Sequence, residues 1–167
     1  MLSRLMEKVG LDWHDIGAFA VGVGPGSFTG LRVACATIAG INASLKKPVY
    51  SLCSLGITAR QTDSSGTHWA IEDARSGLVY AAKYKNGEVL EAAQCLTWDT
   101  FLGFEPKLMS SASDVSVSHE QWQRLPLKIS REQALLEAVK AIKTDQPFDF
   151  WVEPVYLQAS QAEKSMA

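Results

Sequence analysis

Apolar positions change their spacing several times along this chain, and each change marks an element. Leu2, Leu5, Met6 and Val9 fall at i, i+3, i+4 and i+7, one stripe of a helix, and Gly10 supplies a stop. Asp12 is placed to cap a short turn. Residues 18–23, Ala-Phe-Ala-Val-Gly-Val, are an unbroken apolar run of strand length, as a strand covered on both faces requires. Gly24-Pro25-Gly26 breaks the run, and Ser27 caps a long helix to about Leu45. That helix carries two stripes. Phe28, Leu31, Cys35, Ile38, Asn42 and Leu45 form one; Val33, Ala36, Thr37, Gly40 and Ala43 or Ser44 form a second, of small residues. A helix apolar on two sides must be covered on two sides. The sheet takes one, and the other needs a partner inside or outside the chain.

Pro48 opens a strand through Leu52, and Ser54 is read as the cap of a helix to about Thr62. The polar stretch 62–67 is the best boundary between two lobes, 1–64 and 65–167. Beyond it, strands at 68–72 and 78–84 flank a turn over Asp73–Gly77. Asn86-Gly87, a strong type I′ hairpin signal, leads into a third strand at 88–96. A short helix from Thr97 and a strand near Lys107–Ser110 follow, and 111–130 carries no clear period. The capping box Ser130…Gln133 opens a helix to about Lys143. Trp151–Leu157 is expected to pack and the last ten residues to fray. The second half thus reads as a three-strand meander followed by alternating helix and strand. The first half has the alternation without the meander. Its sheet would hold only the strands at 18–23 and 49–52, and a two-stranded sheet with a bare edge is marginal and invites pairing.

Composition narrows the function classes. With 47% hydrophobic and 20% charged residues the chain can form a core, which excludes a disordered segment. A net charge of −2 leaves no basic footprint for direct nucleic-acid binding. No unbroken apolar run reaches the roughly 18 residues of a membrane span, and the first residues lack a signal-peptide core, so a cytoplasmic setting is expected. Cys35, Cys53 and Cys95 are odd in number with no C-x-x-C spacing, and read as buried thiols rather than a disulfide framework or zinc site. His14, His68 and His119 are scattered. "HEQWQ" at 119–123 begins like a metalloprotease helix, but Gln123 replaces the second ligand, leaving a surface turn.

The string "GPGSFTG" at 24–30 is where a phosphate loop would sit. Neither G-x-x-x-x-G-K-[ST] nor G-x-G-x-x-G is present. A strand, glycine turn and helix start still form a generic anion corner, with Gly24, Gly26, Ser27 and Thr29 as its candidates. Against this, Pro25 removes a donor and Ser27 caps the helix with its own hydroxyl. The structural corner is the favoured reading. Arg32, near the positive end of the helix, should be held by a carboxylate or chain terminus. "EDARSG" at 72–77 places Asp73 and Arg75 between strands, where Asp usually bonds its own backbone. Without a nucleophile or acid nearby these two read as a structural motif, not a catalytic pair. No serine lies in a G-x-S-x-G elbow.

The stretch "AFAVGVGPGSFTGLRVACATIAGINASLKKPVYSLCSL" closely resembles the TsaB family, also called YeaZ. "DAR" at 73–75, "VYAAKY" at 79–84 and "EPVYL" at 153–157 agree with it. The resemblance is dense over 11–84, loose over 88–145, and returns near the end. It implies an α/β fold of the actin-like or Hsp70-like ATPase type, two ribonuclease-H-like lobes, with the first lobe truncated here. It also implies a non-catalytic, cofactor-free scaffold. Such proteins serve synthesis of N6-threonylcarbamoyladenosine at position 37 of tRNAs that read ANN codons. The implied partners are TsaD, which carries metal and transfers the threonylcarbamoyl group, and TsaE, a P-loop ATPase; a second copy could take the TsaD position. Contact with tRNA would be indirect. Family pairing uses the first two long helices, which suggests Leu5, Val9, Leu31, Cys35 and Ile38 as the partner face. The chain departs from the family in three ways: no "ILAIDTS"-like opening strand, Leu78 where an acidic residue is usual, and a short 97–150 stretch. The alternatives are a nucleotide-binding or phosphotransfer enzyme of the same fold, and a degenerate relative outside the complex.

Overall fold

The computed structural model describes residues 2–62, 65–112, 115, 122–143 and 145–158. Helix α1 (Leu2–Val9) ends at Gly10, whose φ of +66° is the left-handed stop expected of a glycine. A single 3₁₀ turn, Trp13–Asp15, follows, with Asp12 as its cap in a full capping box. Strand β1 (Phe19–Gly24), helix α2 (Phe28–Leu45) and strand β2 (Val49–Cys53) then form one βαβ unit, the two strands parallel. Their core is Val21, Val23, Cys35 and Val49, joined by Val152 from far along the chain.

Helix α3 (Ser54–Arg60) follows β2 at once. Ser54 is not its cap: Cys53 holds the cap position with no side-chain bond, and Ser54 is buried inside the first turn. The helix also ends before Thr62. Every residue from Ser54 to Ala59 is buried, because α3 lies over the second sheet with helix α5 (Arg131–Lys140) beside it. α5 starts in the predicted capping box and stops three residues short of Lys143.

The second sheet has five strands in the order β5-β4-β3-β6-β7. β3 (Thr67–Arg75), β4 (Leu78–Lys85) and β5 (Glu88–Thr97) form the antiparallel meander. β6 (Leu108–Ser111) and the short β7 (Gln123–Arg124) add parallel strands on the far side of β3. Asn86 and Gly87, at φ +52° and +78°, make the predicted hairpin. β3 runs on through Arg75, so Asp73 and Arg75 lie on a bulged strand end rather than in a five-residue turn. β3 can be apolar on both sides because both faces are covered. Ala70 and Ala74 pack under Leu55 and Ala59 of α3; Trp69 and Ile71 pack with Phe101, Met109 and Trp122. Phe101 belongs to α4 (Trp98–Leu102), capped by Thr97 as expected.

The described chain ends in an extended strap, 149–158, that returns to the first sheet. Asp149 bridges antiparallel to Val49, and the Val155 N–H donates to the Val23 carbonyl at 2.8 Å. The strap therefore crosses from the second half to the first. Among the described residues, α2 is the one helix with the length and hydropathy of a membrane span, averaging 1.2. The sequence shows no unbroken run there because Thr29, Arg32 and Asn42 interrupt it. The average is carried by its isoleucines, leucines and alanines.

Candidate functional site

Around the glycine corner the chain's own groups make close contacts with the loop. Ser27 caps α2, its Oγ accepting from the Gly30 N–H at 3.4 Å. Gly24, at φ +127°, lets the strap through: a Cβ there would stand 2.7 Å from the Val155 carbonyl oxygen. Glu72 on β3 faces the loop, with Oε1 3.8 Å from where a Gly26 Cβ would lie. Burial raises the Glu72 pKa, and Asp73 raises it further while Arg131 opposes. A carboxyl at the mouth of the corner disfavours a second anion. Of the corner candidates Gly24, Gly26, Ser27 and Thr29, the first three serve the loop's own contacts, and Thr29 is exposed on the first turn of α2.

Arg32 differs from expectation. Among the described residues no carboxylate pairs with it; its Nε donates to the Tyr156 hydroxyl at 2.9 Å, and its guanidinium lies 3.9 Å over the Phe28 ring. Phe28 and Tyr156 themselves meet at 4.7 Å. The motif at 153–157 and the motif at 24–32 are thus two halves of one contact. Gln158 continues it, its Nε2 donating to the Ala74 carbonyl and the Tyr80 hydroxyl of the second sheet. Asp73 behaves as read, Oδ1 accepting from the Arg75 N–H at 2.9 Å. Leu78, the departure from the family pattern, packs against the core under α3.

The two stripes of α2 separate cleanly. Leu31 and Cys35 are buried, and Ile38 packs against the core of the first sheet. Leu31 and Cys35 therefore belong to the inner face of the βαβ unit and not to an outward partner face, while Ile38 is half-buried at its edge. The second stripe is the outward one: Val33 is 60% exposed, and Ala36, Thr37, Gly40, Ala43 and Ser44 are exposed with it. On α1 no described residue is buried, and Leu5 and Val9 are each 53% exposed. The helix is amphipathic, yet its apolar stripe has no cover among the described residues.

Among the described residues no group of three His, Cys, Asp or Glu is placed to hold a metal. His68 is buried on β3, where desolvation lowers its pKa; His14 is exposed. His119, Glu120 and Gln121 lie outside the described residues. Trp122 and Gln123 do not form a surface turn: Trp122 is buried in the aromatic core and Gln123 is on β7. Only Cys35 is fully buried; Cys53 and Cys95 are half-buried. Sequence reasoning missed Glu72 at the corner and the arginine-lined cavity behind α3. Neither has a local signal, since both are made by segments brought together in the fold.

The meander-plus-parallel order of the five-stranded sheet, with a βαβ unit beside it, defines a ribonuclease-H-like α/β protein of the actin-like class. Two solved structures share this fold. One is a Pseudomonas aeruginosa protein described as similar to peptidase YEAZ, with a TM-score of 0.73 at 22% identity, over 95% of this chain and 81% of that one. The other is YeaZ from Pseudomonas aeruginosa, with a TM-score of 0.64 at 23% identity, over 94% and 81%. Residues 1–104 match the model of the family TsaD: tRNA N6-adenosine threonylcarbamoyltransferase. The chain belongs to this family, on its TsaB/YeaZ side. It is 32% identical over 91 residues to the Escherichia coli tRNA threonylcarbamoyladenosine biosynthesis protein TsaB, covering 53% of this chain and 39% of that protein. An uncharacterized Mycobacterium tuberculosis protein is 44% identical over 87 residues, covering 52% and 40%. The matched stretch thus spans about two fifths of these relatives.

Proposed function

We propose that this chain is a non-catalytic, cytoplasmic scaffold subunit in the synthesis of N6-threonylcarbamoyladenosine at position 37 of ANN-decoding tRNAs. It pairs with and activates a TsaD-type transferase, with a TsaE-type ATPase joining the pair and tRNA contacted only through the complex. The observation that carries this reading is the uncovered apolar surface on α1 and on the outward stripe of α2. Small residues at Ala36, Gly40 and Ala43 let another helix approach closely. The glycine corner favours the scaffold over the enzyme, because Ser27 caps the Gly30 N–H, the strap crosses Gly24 and the Glu72 carboxyl faces Gly26.

The test is binding between the full chain and its TsaD-type relative, with Leu5→Glu, Val33→Glu and Ile38→Glu in parallel. A charge buried without a partner costs about 3–5 kcal/mol. Leu5→Glu and Val33→Glu should therefore weaken the complex on the order of a hundredfold while circular dichroism stays unchanged. Ile38→Glu, at a half-buried position on the inner stripe, should destabilise the first sheet instead. Unchanged binding by both exposed-face variants would move the partner face elsewhere. Magnesium-dependent ATP hydrolysis that tracks the purified chain and disappears with Glu72→Gln would replace the scaffold reading with the enzyme one.

A further inference from the structure

A cavity of about 330 Å³ opens between β2, α3, the β4–β5 hairpin and the end of α5. Cavities of this size accept small ligands. Its apolar lining includes Leu52, Ile57, Val89 and Ile142. Its polar groups converge at Gly56. The point a Cβ on Gly56 would occupy lies 3.2 Å from Tyr84 Oη and 3.7 Å from Arg60 Nη1, so phenol and guanidinium meet over a position left open by glycine.

Arg60 is held by backbone rather than by an opposite charge. Its Nη1 donates to the Gly56 carbonyl at 3.2 Å. Its Cζ and Nη2 lie 3.6 Å, and its Nε 3.8 Å, from where a Gly87 Cβ would stand, so the guanidinium lies flat over the hairpin tip. Among the described residues the ion pairs join Lys83 to Glu91 and Lys107 to Glu105, and Arg60 is in neither. A guanidinium carries five N–H donors in a fixed fork, which suits a carboxylate or phosphate. The Tyr84 hydroxyl bonds to Cys53 Sγ at 3.6 Å. Burial and the neighbouring Cys53 push its pKa far up, so it brings no negative charge to compete.

We propose that this cavity binds a small amphiphilic anion, a carboxylate or phosphate monoester on an apolar body, with Arg60 pairing the anion and Leu52, Ile57, Val89 and Ile142 covering the body. The site is separate from the partner face and does not depend on the scaffold reading. Octanoate and octyl phosphate are suitable probes, with octylamine and inorganic phosphate as controls. Binding is read by calorimetry on the full chain and by protection of Cys53 from alkylation, mapped by peptide mass. Octanoate, octyl phosphate or both should bind and slow Cys53 alkylation; which one does so more strongly identifies the head group. Octylamine should not, and inorganic phosphate, lacking the apolar body, should bind at least tenfold more weakly than octyl phosphate. Arg60→Gln should weaken the alkyl anions at least tenfold. Val89→Glu, at an exposed rim position that leaves Arg60 and the fold intact, should weaken them and improve octylamine. Equal binding of octylamine and octanoate, or unchanged binding in both variants, would overturn the proposal. So would the absence of Cys53 protection by any probe at millimolar concentration.

Discussion

Glu72 shows how one side chain ties pH to stability in this protein. Its carboxyl faces the Gly26 backbone from β3, and desolvation raises its pKa above the ordinary 4.5. The folded state therefore holds this proton more tightly than the unfolded chain does. Its stabilising effect is complete below the unfolded pKa and is lost as pH rises through the folded one. Glu72→Gln removes that loss. Thermal melts should show the variant more stable than the parent at pH 7.5, with the two converging near pH 4; a constant offset across this range would mean the carboxyl is not desolvated. Arg32 teaches a related lesson. A cation in the first turn of a helix called for a carboxylate on the rule of dipole and charge. The fold supplied a phenol oxygen from a residue 124 positions away, beside the aromatic face of Phe28 one turn back on the same helix. The need for a partner was legible at the residue; its identity was not.

Element by element, the pattern of the chain located α1, β1, α2, the β4–β5 hairpin and the start of α5, because caps and periods are local. It misplaced ends where burial took over. α3 stops at Arg60, where the buried Gln61 turns back onto Thr58 and Ala59, and β3 continues past Asp73 by bulging. α2 illustrates both kinds of control in one helix. Asn42 reads as a weak polar member of the inner stripe, but it is buried and makes three bonds. Its Nδ2 donates to the Lys47 and Phe150 carbonyls and its Oδ1 accepts from the Lys47 N–H. At about 1 kcal/mol per bond, Asn42→Ala should destabilise the chain by roughly 2–4 kcal/mol. Gly40, two positions earlier on the outward stripe, has nothing within 4 Å of where a Cβ would be. Gly40→Ala should stabilise the isolated chain by about 1 kcal/mol through helix propensity alone. Urea unfolding of the two variants checks both signs; a neutral Asn42→Ala would mean that the strap does not lean on α2.

Across the whole molecule stability should be uneven. The five-stranded sheet is covered on both faces by buried clusters, with α3 on one side and the Phe101 and Trp122 cluster on the other. β1 and β2 form a two-stranded sheet whose outer contacts come from the strap, and so little pairing is marginal. Hydrogen exchange on the full chain should leave amides of β3 and β4 protected long after those of β1 and β2 have exchanged. Equal protection of both sheets would show that the strap makes them one cooperative unit. The sequence alone determined the α/β class, the order of most elements, the absence of phosphate-loop fingerprints and the family. Each of these rests on local spacing, on capping chemistry or on a contiguous motif. Only the tertiary structure decided which stripe of α2 faces out, that Glu72 closes the glycine corner, that the motif at 153–157 docks onto the motif at 24–32, and that Arg60 lines a cavity. Those depend on groups far apart in the chain meeting at a few ångströms, and hydrophobic periodicity says that a face must be buried without saying against what.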